Sequence, residues 1–265
     1  MKPVLFTLFG VEVWSFPFFL ACGYLAGGGL AVRRAPREGI DPLDVVGLAF
    51  WTLLLGLLGA RLGWVLLFLE YYRAHPALIL EFQDGGLSFY GGLLAGLATV
   101  WGYGRLRGVP FHRMADLGAL STAFALSVGS VGLLLSGSCY GSACPPSSPF
   151  VFFAITFPDG SLGRVGETLY PTQPLLIAGN AAIFLYLRIA VEPKHHFEGE
   201  IFTTFLSAYT LLRFFVGWIE GSPQGGIGPL SDTQIVSLLL FLLARAWAAI
   251  LRSRGEGTPW GNLPI

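Results

Sequence analysis

The sequence predicts an all-α integral membrane protein with seven transmembrane helices, and three observations lead to this fold class. Charged residues make up 12% of the chain, about half of the roughly 25% found in an ordinary soluble domain. The mean hydropathy is +0.65, and the apolar residues come in runs of the ~20 residues that a helix needs to span a bilayer. Basic residues fall in every second loop between these runs, as expected of a chain that crosses a membrane repeatedly.

Seven apolar runs are long enough to be transmembrane helices. The first is followed by arginines and lacks a signal-peptide cleavage site, so we interpret it as a retained helix. No internal repeat divides the chain, and residues 1–265 are predicted to form a single transmembrane domain. The predicted helices cover residues 11–32, 43–70, 87–105, 115–137, 174–190, 200–219 and 233–251.

The basic residues also set the predicted orientation. Those in the loops after helices one, three, five and seven outnumber those of the alternate loops, which are Arg73 and Arg164. Because lysine and arginine concentrate in cytoplasmic loops, the N-terminus is predicted to lie outside and the C-terminus in the cytoplasm. The longest outer loop, about residues 138–173, is rich in Pro, Gly and Ser and is predicted to form a small cap between helices four and five.

Composition and cysteine content argue against several functional classes. The formal net charge is zero, so no basic surface indicates a nucleic-acid partner. The outer loop carries Cys139 and Cys144, and metal binding there would need more ligands. A short disulfide, a pair of inert thiols, and a nucleophilic Cys139 that accepts a lipid are all compatible with the sequence.

Two arginines interrupt predicted transmembrane helices. Arg61 lies in helix two and Arg213 in helix six, where an ionised side chain costs about 2.5–3.5 kcal/mol even on the translocon scale. Both are predicted to lie in the outer half of the membrane, with Tyr209 one turn before Arg213 and Tyr90 at a similar level. Two guanidiniums at one depth favour a bound anion, and phosphate is the natural candidate in lipid. The alternative is that each arginine reaches the interface or pairs with a carbonyl.

Residues 84–92, with the sequence DGGLSFYGG, place four glycines around Tyr90 at the start of helix three. Glycine in a helix costs about 1 kcal/mol relative to alanine, so the backbone needs either the conformational freedom or the space. One interpretation is close approach of the backbone to a lipid headgroup. The other is a closely packed helix entrance, which small residues also allow.

Several motifs together resemble the prolipoprotein diacylglyceryl transferases of bacterial inner membranes. They are AVRRA after helix one, GARLGWVLLF in helix two, DGGLSFYGGLLAG at helix three, YPTQPL before helix five and YTLLRFFVGWIE in helix six. The resemblance implies a seven-helix enzyme that binds phosphatidylglycerol. It moves a diacylglyceryl group to the lipobox cysteine of a lipoprotein signal peptide and releases glycerol phosphate. It implies no cofactor and no metal.

The resemblance also implies site residues. The expected catalytic residues are Tyr90, Tyr209 and Arg213, with Tyr209 orienting Arg213. The expected substrate-binding residues are Arg61, Asp84, Gly85, Gly86, Gly91, Gly92, Gly141 and Tyr170.

The chain departs from the family pattern at polar positions. Tyr90 stands where the family carries a histidine, and tyrosine, with a pKa near 10, is a weak base at neutral pH. Ser130 and Leu133 stand where helix four of the family carries an arginine and an asparagine, and Tyr170 replaces another histidine. These departures leave open an alternative, a non-catalytic or re-purposed phospholipid-binding protein of the same fold.

Overall fold

The computed structural model describes residues 2–81, 86–149, 151–158, 166–194, 196–220 and 228–254. The chain forms two compact units, one made of Met1–Leu30 with Asp116–Ile265 and the other of Ala31–Ala115. Each unit is described by itself below.

Helices dominate both units, and two small sheets accompany them. The strands are β1 (Val4–Leu8), β2 (Val11–Trp14), β3 (Ile155–Thr156) and β4 (Thr168–Leu169). The helices are α1 (Ser15–Arg34), α2 (Pro42–Leu67), α3 (Leu69–Ala74), α4 (Phe89–Arg107), α5 (Phe111–Ser136), α6 (Thr172–Tyr186), α7 (Glu200–Val216) and α8 (Asp232–Arg254).

The chain is a multi-pass membrane protein, as predicted. Within the described residues, the segments that contain α1, α2, α5, α6 and α8 are long and apolar enough to cross a membrane. The other two predicted transmembrane helices form as α4, of 19 residues, and α7, of 17 residues. Their passage through the membrane stays a prediction.

The N-terminus corrects the all-α prediction. The first helix was predicted to begin at residue 11, but Val11–Trp14 is a strand, β2, that pairs antiparallel with β1. The turn between them uses positive φ angles at Phe9 and Gly10, of 50° and 82°. A two-residue turn of this kind matches the twist of paired strands. The helix therefore begins only at Ser15, whose amide donates to the Pro3 carbonyl at 2.7 Å.

In the unit of residues 31–115, α2 and α4 pack through small residues. A Cβ on Gly59 would lie 2.8 Å from the Gly91 carbonyl oxygen, and one on Gly63 would lie 3.0 Å from the Gly91 Cα. These distances leave no room for a side chain, so the two backbones are in contact. The N-terminus of α2 is capped by Asp41, which accepts a hydrogen bond from the Leu43 amide at 2.8 Å.

The other unit has a core between α5, α6 and α7. α1 packs closely on α5, because a Cβ on Gly23 would lie 2.6 Å from the Ala125 carbonyl oxygen. α7 begins against α5, where the buried carboxylate of Asp116 accepts the amides of Gly199 and Phe202, each at 2.7 Å. The central core residues are Ala119, Leu120, Ala123, Ile183, Leu187, Ile201 and Phe205.

The loop between α5 and α6 contains β3 and β4, which pair with each other. Phe157 and Leu169 are almost fully buried. Ala143 forms a further bridge with Leu169, and the Cys144 amide donates to the Thr168 carbonyl at 2.8 Å. The described part of this loop therefore has a small packed core of its own.

Candidate active site

Arg213 and Tyr209 lie one turn apart on α7, as the sequence predicts. Tyr209 stacks on Phe205, with ring centroids 5.8 Å apart. Nη2 of Arg213 lies 2.8 Å from Oε1 of Glu220, and these side chains are 24% and 20% exposed. Because α7 ends at Val216, the following turn brings the acid back to the arginine. A partly accessible ion pair therefore lies at the end of α7.

The segment after α5 is held by two buried side chains from the start of α6. Oγ1 of Thr172 donates to the Cys139 carbonyl at 2.7 Å, and Nε2 of Gln173 donates to the Ser138 carbonyl at 2.9 Å. Cys139 has a φ of 54°, an uncommon conformation for a residue other than glycine. The two hydrogen bonds stabilise this conformation and fix where the segment begins.

Gly141 lies where three chain segments meet. It forms an antiparallel bridge with Glu220. The Ser142 amide donates to the Ile219 carbonyl at 2.9 Å, and the Tyr170 amide donates to the Ser142 carbonyl at 3.0 Å. A Cβ on Gly141 would contact the Tyr170 carbonyl oxygen and would lie 2.9 Å from the Ile219 carbonyl oxygen. Glycine is required here because any side chain would push the segments apart.

Cys139 and Cys144 are free thiols, the first exposed and the second buried, so the short disulfide considered above does not form. Burial raises the pKa of the Cys139 thiol, Arg213 lowers it and Glu220 raises it. The thiol is thus shielded from water, although part of the residue is exposed, and it lies within electrostatic range of the ion pair. Because the thiolate is the nucleophile, a raised pKa makes this cysteine less reactive at neutral pH.

In the other unit, Arg61 is 6% exposed and binds backbone carbonyls. Its Nε donates to Ile79 at 2.9 Å, Nη1 to Gly86 at 3.0 Å and Nη2 to Leu78 at 2.6 Å. The guanidinium also lies over the Tyr72 ring, 5.4 Å from its centroid. Carbonyl pairing is thus present, and anion binding by Arg61 stays a prediction. Arg61 fixes the backbone that leads into α4.

The glycines before and within α4 meet two different needs. Gly86 has a φ of 69°, and a Cβ there would lie 2.6 Å from Nη1 of Arg61, so both conformation and space require glycine. Gly91 contacts the Gly59 carbonyl, and a Cβ on Gly92 would lie 3.3 Å from the Ala60 Cβ. Close helix packing therefore accounts for this second pair.

Three predicted site residues lie partly or wholly outside the described residues. Tyr90 lies in the first turn of α4, and its side chain lies outside the described residues. Asp84 and Gly85 also fall outside them.

Ser130 stands where the family pattern has an arginine, and it has a polar neighbour on α6. Nδ2 of Asn180 donates to the Ser130 hydroxyl at 3.3 Å. Asn180 is 2% exposed, and its Oδ1 has no hydrogen-bond partner among the described residues. Two small polar groups therefore meet between α5 and α6.

The family model of prolipoprotein diacylglyceryl transferase matches residues 3–250 of the chain. The chain belongs to this family. A phosphatidylglycerol–prolipoprotein diacylglyceryl transferase of Clostridioides difficile (strain 630) is 30% identical over 241 residues, which cover 90% of this chain and 91% of that protein. One of Geobacter sulfurreducens is 30% identical over 267 residues, covering 97% and 98%. One of Solidesulfovibrio magneticus is 31% identical over 255 residues, covering 92% and 94%.

The family membership confirms the resemblance stated from the sequence, while the site residues that it implied stay predictions. In this diacylglyceryl transferase, Arg213, Gly141 and Tyr170 are connected through Glu220 and its neighbours. In the other unit, Arg61 contacts Gly86.

Sequence reasoning missed three residues of the candidate site. Thr172 and Gln173 are part of YPTQPL, and Glu220 ends YTLLRFFVGWIE. Each motif was used for the resemblance, but the contacts of these side chains were not predicted. Polar residues inside otherwise apolar motifs were the available signal.

Proposed function

We propose that the protein transfers the diacylglyceryl group of phosphatidylglycerol to the lipobox cysteine of a prolipoprotein at the outer face of the bacterial inner membrane. The observation that carries the proposal is the family match over residues 3–250. The basic loops predict seven transmembrane helices with the N-terminus outside. In this arrangement the site would open toward the outer leaflet.

Arg213 is the proposed phosphate ligand. A guanidinium binds phosphate through parallel N–H groups, and it stabilises the charge that develops on the departing glycerol phosphate. The partial exposure of Arg213 beside Glu220 supports this role. Tyr209, one turn away, orients the arginine.

The remaining predicted residues are proposed to contribute to substrate binding, each within its own unit. In the unit of residues 31–115, Arg61 contributes through the carbonyls of Leu78, Ile79 and Gly86, which it holds in place. Gly141 and Tyr170 form the backbone junction beside the ion pair. Asp84, Gly85, Gly91 and Gly92 are proposed to bind substrate as well, as the resemblance implies.

The reaction forms a sulfur–carbon bond and breaks a carbon–oxygen bond. The acceptor cysteine loses its proton, since the thiolate is the nucleophile. Its sulfur attacks the glyceryl carbon that carries the phosphate ester, and the ester oxygen keeps the bonding electrons and leaves as glycerol phosphate. Tyr90 replaces the family histidine as hydrogen-bond partner or base for the thiol proton. No metal or cofactor enters the scheme, because the phosphate ester is itself a leaving group.

The test measures glycerol phosphate release by purified protein in detergent, with phosphatidylglycerol and a lipobox peptide. Arg213→Ala is expected to lower kcat/KM by about 100-fold or more, the typical effect of removing a group that stabilises developing charge. Arg188→Ala is the matched control, because it removes an exposed arginine that pairs with Glu192 at 2.9 Å, and it is expected to keep full activity. Tyr90→Phe removes the phenol hydroxyl and tests whether the reaction depends on it. A parent protein that binds phosphatidylglycerol but releases no glycerol phosphate would contradict the proposal and favour the lipid-binding alternative.

A further inference from the structure

Glu220 holds only one edge of the Arg213 guanidinium. The contact joins Oε1 to Nη2 at 2.8 Å. Within the described part of the chain, the other guanidinium nitrogens of Arg213 take part in no hydrogen bond or ion pair. An arginine has five N–H donors in a planar fork, so most of its donors are available for a second anion.

The position of Glu220 is set by the backbone on both sides of the ion pair. Glu220 bridges Gly141, and the neighbouring Ile219 carbonyl accepts from both the amide and the hydroxyl of Ser142, at 2.9 and 3.4 Å. The arginine is fixed by α7, and the Gly217 amide bonds to its carbonyl at 2.9 Å. The backbone that carries the carboxylate is therefore held by Gly141 and Ser142 as well as by the turn that continues from α7.

Two effects of such an acid on a nearby phosphate have opposite signs. A carboxylate repels an anionic headgroup, so its removal would strengthen phosphate binding. A carboxylate that holds a guanidinium in one orientation saves the ordering cost when the ligand binds, so its removal would weaken binding and slow the reaction. The anchored backbone of Glu220 and the single contact at Nη2 favour the second effect.

We propose that Glu220 is a positioning residue, which orients Arg213 so that its remaining N–H groups meet the phosphate of phosphatidylglycerol. This inference rests on the function proposed above. It assigns a role in the reaction to an acid that comes seven residues after the arginine and lies beyond the end of α7.

The test is a double-mutant cycle on glycerol phosphate release. Glu220→Ala is expected to lower kcat/KM at least tenfold in the parent, with both a higher KM for phosphatidylglycerol and a lower kcat. In an Arg213→Lys background the same change is expected to have less than a twofold effect, since the oriented fork is already gone. Glu220→Gln keeps an acceptor oxygen of the same reach and is expected to recover part of the loss. Glu192→Ala, which removes the acid of the exposed Arg188 pair, is the control and is expected to match the parent.

The alternatives to a positioning role for Glu220 each predict a different result. Unchanged or higher activity in both Glu220 variants would overturn the inference, because the acid would then be neutral or would oppose phosphate binding. An equal loss in both arginine backgrounds would also overturn it and would indicate a structural role. An inactive parent would instead overturn the proposed function, and this inference with it. If Glu220→Ala does not fold, the same comparison between arginine backgrounds is made with Glu220→Gln.

Discussion

Replacing Gly141 by alanine tests whether the backbone junction positions the ion pair. The new Cβ would lie 2.7 Å from the Tyr170 Cβ and 2.9 Å from the Ile219 carbonyl oxygen, whereas ordinary contact begins at 3.4 Å. The Tyr170 carbonyl oxygen would lie closer still, so the neighbouring segments must move apart by more than about 0.7 Å, and overpacking of this kind costs about 1–3 kcal/mol. Because Gly141 pairs with Glu220, the movement displaces the acid that contacts Arg213.

The expected result is a loss of activity that exceeds the loss of stability. A misplacement of about 1 Å can cost about 100-fold in rate, so Gly141→Ala should lower kcat/KM by about 10- to 100-fold. The thermal midpoint in detergent should fall by about 2–4 °C for each kcal/mol of strain. Variants are compared at one heating rate, since membrane proteins often unfold irreversibly.

The matched control is Gly28→Ala in α1, where no described atom lies within 4 Å of the added Cβ. It should leave activity unchanged and raise helix stability by up to about 1 kcal/mol. If Gly141→Ala has a kcat/KM within twofold of the parent, the junction absorbs a methyl group. The junction would then not be what positions Glu220.

Two further outcomes are expected. Asp116→Ala removes the acceptor of two amides at the start of α7 and should destabilise the protein by about 3–6 kcal/mol, since each charged hydrogen bond contributes about 1.5–3 kcal/mol. A thermal midpoint equal to that of the parent would contradict the capping role. For Cys139, the pKa raised by burial should place its maleimide-labelling profile above the ordinary thiol pKa of about 8.5, in protein whose other two cysteines are serine. Arg213→Ala removes the charge that lowers this pKa and should move the profile to higher pH, whereas a shift to lower pH would contradict the electrostatic contact.

The long helices could be predicted from the sequence because their apolar runs match the thickness of a bilayer. Their ends were less predictable. The run that begins at Val11 is mostly apolar, with Glu12 as its one charged residue, and its pairing with β1 as a strand depends on residues that precede it. Helix two was predicted to continue to residue 70, but α2 ends at Leu67, and Phe68 has a non-helical conformation with φ −117° and ψ 39°. A hydrophobic pattern does not register such a break.

The site was predictable only where a residue is unusual in itself. A buried arginine is costly in a membrane, so Arg61 and Arg213 could be singled out. The partners of the two arginines could not be predicted. Arg61 binds carbonyl oxygens, which carry no signature in the sequence, and Glu220 reaches Arg213 only after α7 ends. The buried hydrogen bonds of Thr172 and Gln173 likewise depend on the tertiary approach of segments more than thirty residues apart.

The hydrogen bonds from Thr172 and Gln173 also bear on how the enzyme can vary in length. Thr172 and Gln173 follow the loop between α5 and α6, and their side chains bond to carbonyls at its beginning, those of Cys139 and Ser138. The two ends of the loop are therefore joined. Once the ends are joined, doubling the number of residues in a flexible loop adds only about 0.6 kcal/mol of closure entropy. Insertions in this loop are therefore inexpensive where they spare the Gly141 junction and the packed core of Phe157 and Leu169, and an evolving or engineered transferase can lengthen the loop there while Arg213 and Glu220 keep their places.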